Sequence, residues 1–301
     1  MAELNWTDAQ WQKINDAVTE AFGKASVASA FVPMYGPLTG SAEVVRNERL
    51  LEHGTTISLD KDHKAVNLPL VNLTVKVKLS SEQIADETLS NALLAFRRAA
   101  NILALEQDLV VLAGYARGFP DENSTFVTNQ IGPQKGLADL PARFDFDLLG
   151  FPASVDALGQ SVVGAAVRAM NTLETASNPA PFACVLGNNL YEAVHNPSSS
   201  LVLPADRVTP MLKGGPLLRS GKIDGDTGIV VSLGGNVVDI VIGVPPTVQF
   251  LQRDEDAKFL FRVYMRFALR IRDNVRRPVA GFRVADAAKI ALEGTQLRAL
   301  R

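Results

Sequence analysis

The chain has 301 residues, with 30 Lys+Arg against 32 Asp+Glu and a formal net charge of −2, a balance that argues against a dedicated polyanion-binding protein. Hydrophobic residues make up 47% of it, enough for a substantial core, and its one cysteine, Cys184, excludes an intrachain disulfide. The amino terminus shows no basic-then-apolar leader, and no apolar run approaches the ~18 residues that span a bilayer, so a cytoplasmic location without a membrane partner is expected.

The first element is announced by Thr7 and Gln10, a capping box in which the hydroxyl and the side-chain amide satisfy each other's orphan backbone donors. The helix that follows carries Trp11, Ile14, Val18, Ala21 and Phe22 on one stripe, and Gly23 is the expected stop. A small, apolar stretch then ends at Gly36-Pro37, a turn signal. From 41 to 79 the pattern is β. Arms over 43–51 and 65–72 flank a polar tip over 53–63, which predicts a protruding hairpin, and Leu73, Val75, Val77 and Leu79 alternate with polar residues as a half-buried strand. His53, Asp60, Asp62 and His63 at the tip match no closed metal-site spacing, so no metal is expected there. Ser90 is the expected cap of a helix over 91–113, apolar round most of its circumference and therefore a buried spine of about 34 Å. Glu106 and Asp108, two residues apart on that helix, do not face each other, which argues against acid–base work.

Residues 114–152 are rich in loop signals. A second α/β region follows: a helix over 155–173, a strand over 182–186, a helix over 189–195, a polar tip over 196–200 and a helix over 206–213. Strands are predicted over 229–233, 237–242 and 247–251, the first two joined as a hairpin turning on Gly234, Gly235 and Asn236. Residues 258–272 then alternate strictly. Phe259, Phe261, Val263, Met265, Phe267, Leu269 and Ile271 form one face, and Leu260, Arg262, Tyr264, Arg266, Ala268, Arg270 and Arg272 the other. Such a strand would span roughly 45 Å against the usual ~20 Å, which implies an extended, flattened subunit completed by its neighbours. Its arginines read as a solvated face with charge-paired rims, and no nucleic-acid partner is expected.

Motifs that could carry chemistry fail on detail. The stretch from Gly215 to Lys222 has five residues between its glycines, where a phosphate loop has four, and Ile223 stands where Ser or Thr would touch magnesium. Asp224 and Asp226 open like a calcium loop, but Gly235 occupies the place of the bidentate glutamate. Glu192 and His195 form a lone E-x-x-H where a di-iron site needs a second copy. No catalytic, cofactor-binding or metal-binding residue is nominated, and the chain is not expected to be an enzyme.

Four stretches in order carry a resemblance. The first runs from Leu4 to Pro37, as L-x-W-T-D-x-Q-W-x-x-I and then F-V-x-x-Y-G-P. The second is E-x-D-L-V-V-L-A-G from Glu106 to Gly114, followed by QKGL from Gln134. The third is PFACVLGNNLYEAV from Pro181, and the fourth is LRSGKI from Leu218 with the GIVVSLGG, DIVIG and F-R-V strands after it. Together they resemble the encapsulin shell proteins, the linocin-like family with the HK97 phage-capsid fold. The resemblance implies an α+β chain with a P-domain, an A-domain and an E-loop hairpin. Its parts would be 1–40 (helix and arm), 41–80 (E-loop hairpin and strand), 81–152 and 236–282 (P-domain), 153–235 (A-domain) and 283–301 (a carboxy-terminal extension). It also implies a homo-oligomer of 60 copies or more in an icosahedral nanocompartment, with a cargo enzyme, a peroxidase or a ferritin-like protein, held by a targeting peptide.

On this resemblance the cargo groove falls on Trp11, Ile14, Val18, Phe22 and Phe31, and the pore loop on His195, Asn196, Ser198, Ser199 and Ser200. Ala28, Ser29 and Pro33 stand where relatives often carry a Gly-Arg pair and an acidic residue, so the tail is expected to be held by apolar contacts with little dependence on salt. Two alternatives stay open. One is a phage major capsid protein, which would need room for a scaffold domain. The other is a cytosolic α/β enzyme with an unrecognised site.

Overall fold

The computed structural model describes residues 4–39, 42–53, 56–60, 66–115, 134–140, 144–147, 155–197, 202–253, 258–272 and 276–284. Two sheets divide the work. The first has four strands in the order Met34–Tyr35, Val238–Arg253, Phe259–Ile271 and Val71–Leu79, all antiparallel except the short first one. One of its faces is covered by the amino-terminal helix, Asp8–Ala25, and by the spine helix, Ser90–Asp108. The long strand Phe259–Ile271 lies second from one edge, and Phe259, Phe261, Val263, Met265 and Phe267 point into this core as the alternation requires. Trp6 stacks on Phe261 at 5.1 Å, with Phe96 edge-on to Phe261 at 5.4 Å, which pins the chain ahead of the first helix to the sheet.

The second sheet has five strands in the order Leu217–Arg219, Phe182–Leu186, Thr227–Ser232, Val279–Arg283 and Phe144–Asp147. Ala183, Val185, Ile229 and Val231 face the main core, while Phe182, Cys184, Leu186 and Val230 pack in a second core with the helix Val155–Thr175. Burial on both faces explains why the run Phe182–Leu186 is apolar throughout instead of alternating.

The structure corrects several boundaries. Gly23 does not stop the first helix, which runs to Ala25 and is capped at Ser26. Ser90 is not the cap of the spine but its first residue. Leu89 precedes it in the left-handed conformation, and the Asp86 carboxylate accepts from the Ser90 amide and hydroxyl. The spine is α-helical only to Asp108 and closes with a π-turn, Leu109–Ala113. Gly136 packs so tightly on that turn that a Cβ there would lie 2.1 Å from the Gly114 nitrogen. The expected helix over 206–213 is a helical turn, Pro204–Val208, followed by a 3-10 turn, Thr209–Leu212.

The hairpin expected across Gly234, Gly235 and Asn236 does not form. Thr227–Ser232 pairs in the second sheet and Val238–Arg253 in the first, so Gly234–Asn236 is a 3-10 crossing between sheets, with Gly235 at φ 79°. The two strands expected over 237–242 and 247–251 are one, Val238–Arg253, continuous through Pro245 and Pro246 with register shifts on either side of Val244. Those prolines are tolerated because the pairing of the short edge strand on that side ends at Leu38, whose amide donates to the Ile242 carbonyl.

Candidate functional site

Three surfaces carry the residues singled out by the sequence. The first is the hairpin arm. It consists of two antiparallel ladders, Val44–Asn47 with Val66–Pro69 at the root and Arg49–His53 with Thr56–Asp60 further out. The root is anchored. Val45 and Leu70 pack on Val241 and Ala268, on the face of the four-stranded sheet opposite the helices, with Leu38 and Leu68 beside them. The Asn47 side-chain amide donates to the Ile271 carbonyl at 3.1 Å, and the Leu50 amide donates to the Arg272 carbonyl at 3.0 Å. The outer ladder exposes Ile57 (66%) and Leu59 (41%), and Val44 at the root is 51% exposed. Of the possible metal ligands at the tip, Asp62 and His63 lie outside the described residues, and no group of three or more candidate ligands occurs among the described residues.

Because the root covers one end of the sheet, Arg270 is buried and not on a solvated face as its place in the alternation suggests. Its Nε donates to Asp239 Oδ1 at 2.8 Å and its terminal nitrogen to Oδ2 at 2.6 Å. Further along the strand, Arg262 remains on the solvated side, bonded to the Gln249 side chain and 4.4 Å from the Tyr264 ring.

The second surface is the amino-terminal helix. Its capping box is present, with Gln10 N donating to Thr7 Oγ1 at 3.3 Å and Thr7 N donating to Gln10 Oε1 at 2.9 Å. The expected groove residues are mostly core. Ile14 and Val18 are fully buried, Phe22 and Phe31 nearly so, and Trp11 is half-buried. The open feature is a trough of about 420 Å³ between this helix and the spine, lined by Glu20, Ala21, Lys24, Ala25, Arg97 and Asn101. Glu20 and Lys24 pair across one helical turn at its rim, and the Glu20 carboxyl is held below its usual range by that partner. Sequence reasoning missed Arg97 and Asn101. Their i, i+4 spacing on the spine was legible, but not which helix would lie beside them.

Behind the trough sits a buried polar network that the sequence also hid. Asp108 accepts from the amides of Val27 and Ala28, both at 2.8 Å, and from the Ser26 hydroxyl at 3.0 Å, which ties the chain leaving the first helix to the end of the spine. Burial pushes the Asp108 carboxyl above its usual range despite these donors. The native state therefore takes up this proton before the unfolded chain does. Between the raised native pKa and the ordinary unfolded one, the contribution of Asp108 to stability rises as pH falls, at no more than about 1.4 kcal/mol per pH unit. Below the unfolded value both states are protonated and the contribution no longer changes. The difference in Tm between wild type and Asp108→Asn, followed by scanning calorimetry, is expected to move in favour of wild type as pH is lowered from 7 through this window. A difference that is flat or moves the other way contradicts the assignment.

The third surface is the tip of the second sheet. His195 ends the helix Asn188–His195 with its Nδ1 against the Tyr191 carbonyl at 2.9 Å and its ring stacked on Tyr191 at 4.1 Å. Asn196 caps that helix, whereas Ser198, Ser199 and Ser200 lie outside the described residues. Motifs declined as sites have structural roles. The strand Leu217–Arg219 occupies the false phosphate loop, and Lys222 pairs with Glu106 at 3.7 Å. Asp226 donates its amide to the Asp224 carboxylate and accepts from the Asn189 side chain. Cys184 is fully buried, and burial pushes its thiol up to about 12, far from any nucleophile's range. No helix among the described residues is long and apolar enough to cross a membrane.

Known proteins match this architecture. A family model described as an encapsulating protein for peroxidase, Linocin_M18, matches residues 2–124 and 149–267. The virus-like particle from Pyrococcus furiosus superposes with a TM-score of 0.65 at 16% identity, over 92% of this chain and 100% of that one. The holo-SrpI encapsulin complex of Synechococcus elongatus PCC 7942 gives 0.54 at 11% identity, over 84% of each chain. The capsid of the Myoviridae phage XM1 gives 0.53 at 15% identity, over 84% of this chain and 90% of that one. At such identities the likeness is one of fold. This is the HK97-like capsid architecture that encapsulins and phage capsids share.

Proposed function

The chain belongs to the family of encapsulating proteins for peroxidase, a family of shell proteins and not of enzymes, and from that premise we propose that its copies assemble in the cytosol into a closed icosahedral compartment around a cargo enzyme. The observation that carries this is the arm. A two-stranded ribbon is at best marginally stable in water, and this one leaves Ile57 and Leu59 uncovered by its own chain. A neighbouring copy supplies the missing cover, and closed symmetry leaves no copy with an unpaired arm.

In this reading residues 41–80 form the E-loop and the strand behind it, 81–152 with 236–282 the P-domain, and 153–235 the A-domain, with 283–301 an extension. His195 to Ser200 border a pore on a symmetry axis. The tail of a cargo peroxidase lies in the trough between the amino-terminal helix and the spine, touching Ala21 and Ala25. Because Lys24, Glu20 and Arg97 ring that trough, salt weakens retention, in place of the salt-insensitive binding expected from Ser29 and Pro33. Sedimentation velocity on the purified chain tests the assembly. About 60 copies of a 32.4 kDa chain give a particle of roughly 1.9 MDa. Only species smaller than a dodecamer would overturn the proposal.

A further inference from the structure

We propose that Asp239, acting through Arg270 and Arg272, is the positioning residue that sets the direction in which the arm leaves the body, and through it the curvature of the assembled shell; the second half of this rests on the assembly reading above. Asp239 and Arg270 are cross-strand partners at the end of the four-stranded sheet that the arm's root covers, and each is 6% exposed. Arg270 holds the carboxylate with both ends of its fork, while its guanidinium carbon lies 4.9 Å from the Tyr35 ring. The Arg272 terminal nitrogen reaches the same carboxylate at 3.6 Å. Arg272 is also where the arm is tied, because its carbonyl accepts from Leu50 and its own amide donates to the Val237 carbonyl. Beside this junction a recess of about 510 Å³ separates arm from body, with Leu50 and Leu59 on one side and Tyr35, Asp239 and Arg272 on the other. One carboxylate thus serves two guanidinium groups, the first that of its cross-strand partner and the second that of Arg272, the residue whose backbone carbonyl holds the arm.

Direction distinguishes this cluster from the rest of the root. Val45, Leu70, Val241 and Ala268 hold the root down by apolar contact, which has no preferred angle. A forked guanidinium on a carboxylate has one geometry. A buried ion pair is also weak evidence for stability, since apolar side chains of similar volume commonly serve as well or better. The cluster is therefore explained by the geometry it imposes.

The test replaces the pair by apolar side chains of similar size, Asp239→Leu with Arg270→Met, in the full-length chain. Hydrogen exchange over 44–53 is recorded by mass spectrometry at dilutions where the chain is unassembled, with Tm alongside and particle diameters measured separately by electron microscopy. Tm is expected to hold, exchange over the arm to rise at least tenfold while exchange over 259–267 stays unchanged, and particles to become mixed in size. Asp239→Glu, which keeps the carboxylate, is expected to restore much of the protection. Should the double variant fold poorly, Arg272→Met takes the second guanidinium off Asp239 at a partly exposed position, leaves the backbone bond to Leu50 in place, and carries the same expectation. Arm protection that stays at the wild-type level in a folded variant overturns the proposal, as does a looser arm that still gives wild-type particles of one diameter. Wild-type chain that never forms particles, with arm exchange still dependent on Asp239, overturns the assembly reading and leaves the positioning role standing.

Discussion

Chain in which residues 48–65 are replaced by Asn-Gly is expected to fold and to sediment as a monomer or small oligomer, with the megadalton species reduced by at least a hundredfold. The cut follows the ladder. Asn47 and Val66 are register partners at the top of the root, and Asn-Gly suits a two-residue connection between antiparallel strands. The root core of Val45, Leu70, Val241 and Ala268 stays whole, so the body loses little of its own stability. A wider deletion reaching Val71 would confuse the result, because Val71 is fully buried and pairs with Phe267 in the four-stranded sheet. What is lost is Leu50, with its half-buried packing and its amide bond to Arg272, and the outer ladder with Ile57 and Leu59. Burying two such side chains against a neighbour contributes about 1.5–3 kcal/mol each, repeated at every interface of the shell, so removing them shifts a cooperative assembly almost entirely to free subunits. Analytical ultracentrifugation with a circular dichroism control decides it. Megadalton particles of normal size from the shortened chain would mean that the arm is ornamental.

Which parts of this architecture could be read from residues follows a physical line. Alternation located the long strand almost to the residue and gave its buried face correctly from Phe259 to Phe267. It failed at Arg270 because the root of a hairpin 200 residues earlier in the chain covers that end, and period 2 does not report what lies on top of a sheet. Gly234 to Asn236 gave a true turn signal with a false consequence. Local chemistry bends the chain, but Thr227–Ser232 had better partners in Phe182–Leu186 and Val279–Arg283 than in the strand that follows it. Asp108 was dismissed on a correct argument about helix faces. Its role is to accept amides from residues 80 and 81 positions away, which no local pattern reveals. The trough was missed for a related reason. An amphipathic stripe shows that a face is buried, not by what, and the residues left open beside it come from two helices at once.

The same distinction fixes the outcome of Ile14→Asp, which is expected to abolish folding and not merely to release cargo. Ile14 is 0% exposed and lies in the main core with Val18, Phe22, Phe96 and Phe261. Removing a buried isoleucine costs about 2–5 kcal/mol even when the replacement is alanine. A carboxylate in its place must also be desolvated or protonated, a further penalty of several kcal/mol in an apolar site. Set against a typical domain stability of about 5–15 kcal/mol, the sum removes most or all of it. Ile14→Val, which deletes one methyl group, should cost only about 0.5–1.5 kcal/mol and leave assembly intact. Lys24→Glu, on the rim of the trough where the side chain is 74% exposed, is the informative partner. It should leave Tm within a few degrees of wild type, because it buries no charge, and alter cargo retention alone. Soluble yield, thermal denaturation and the ratio of cargo to shell in co-purified particles separate the three. If Ile14→Asp chains instead form intact shells that lack cargo, the amino-terminal helix must leave the core on assembly, and the groove then lies under it and not beside it.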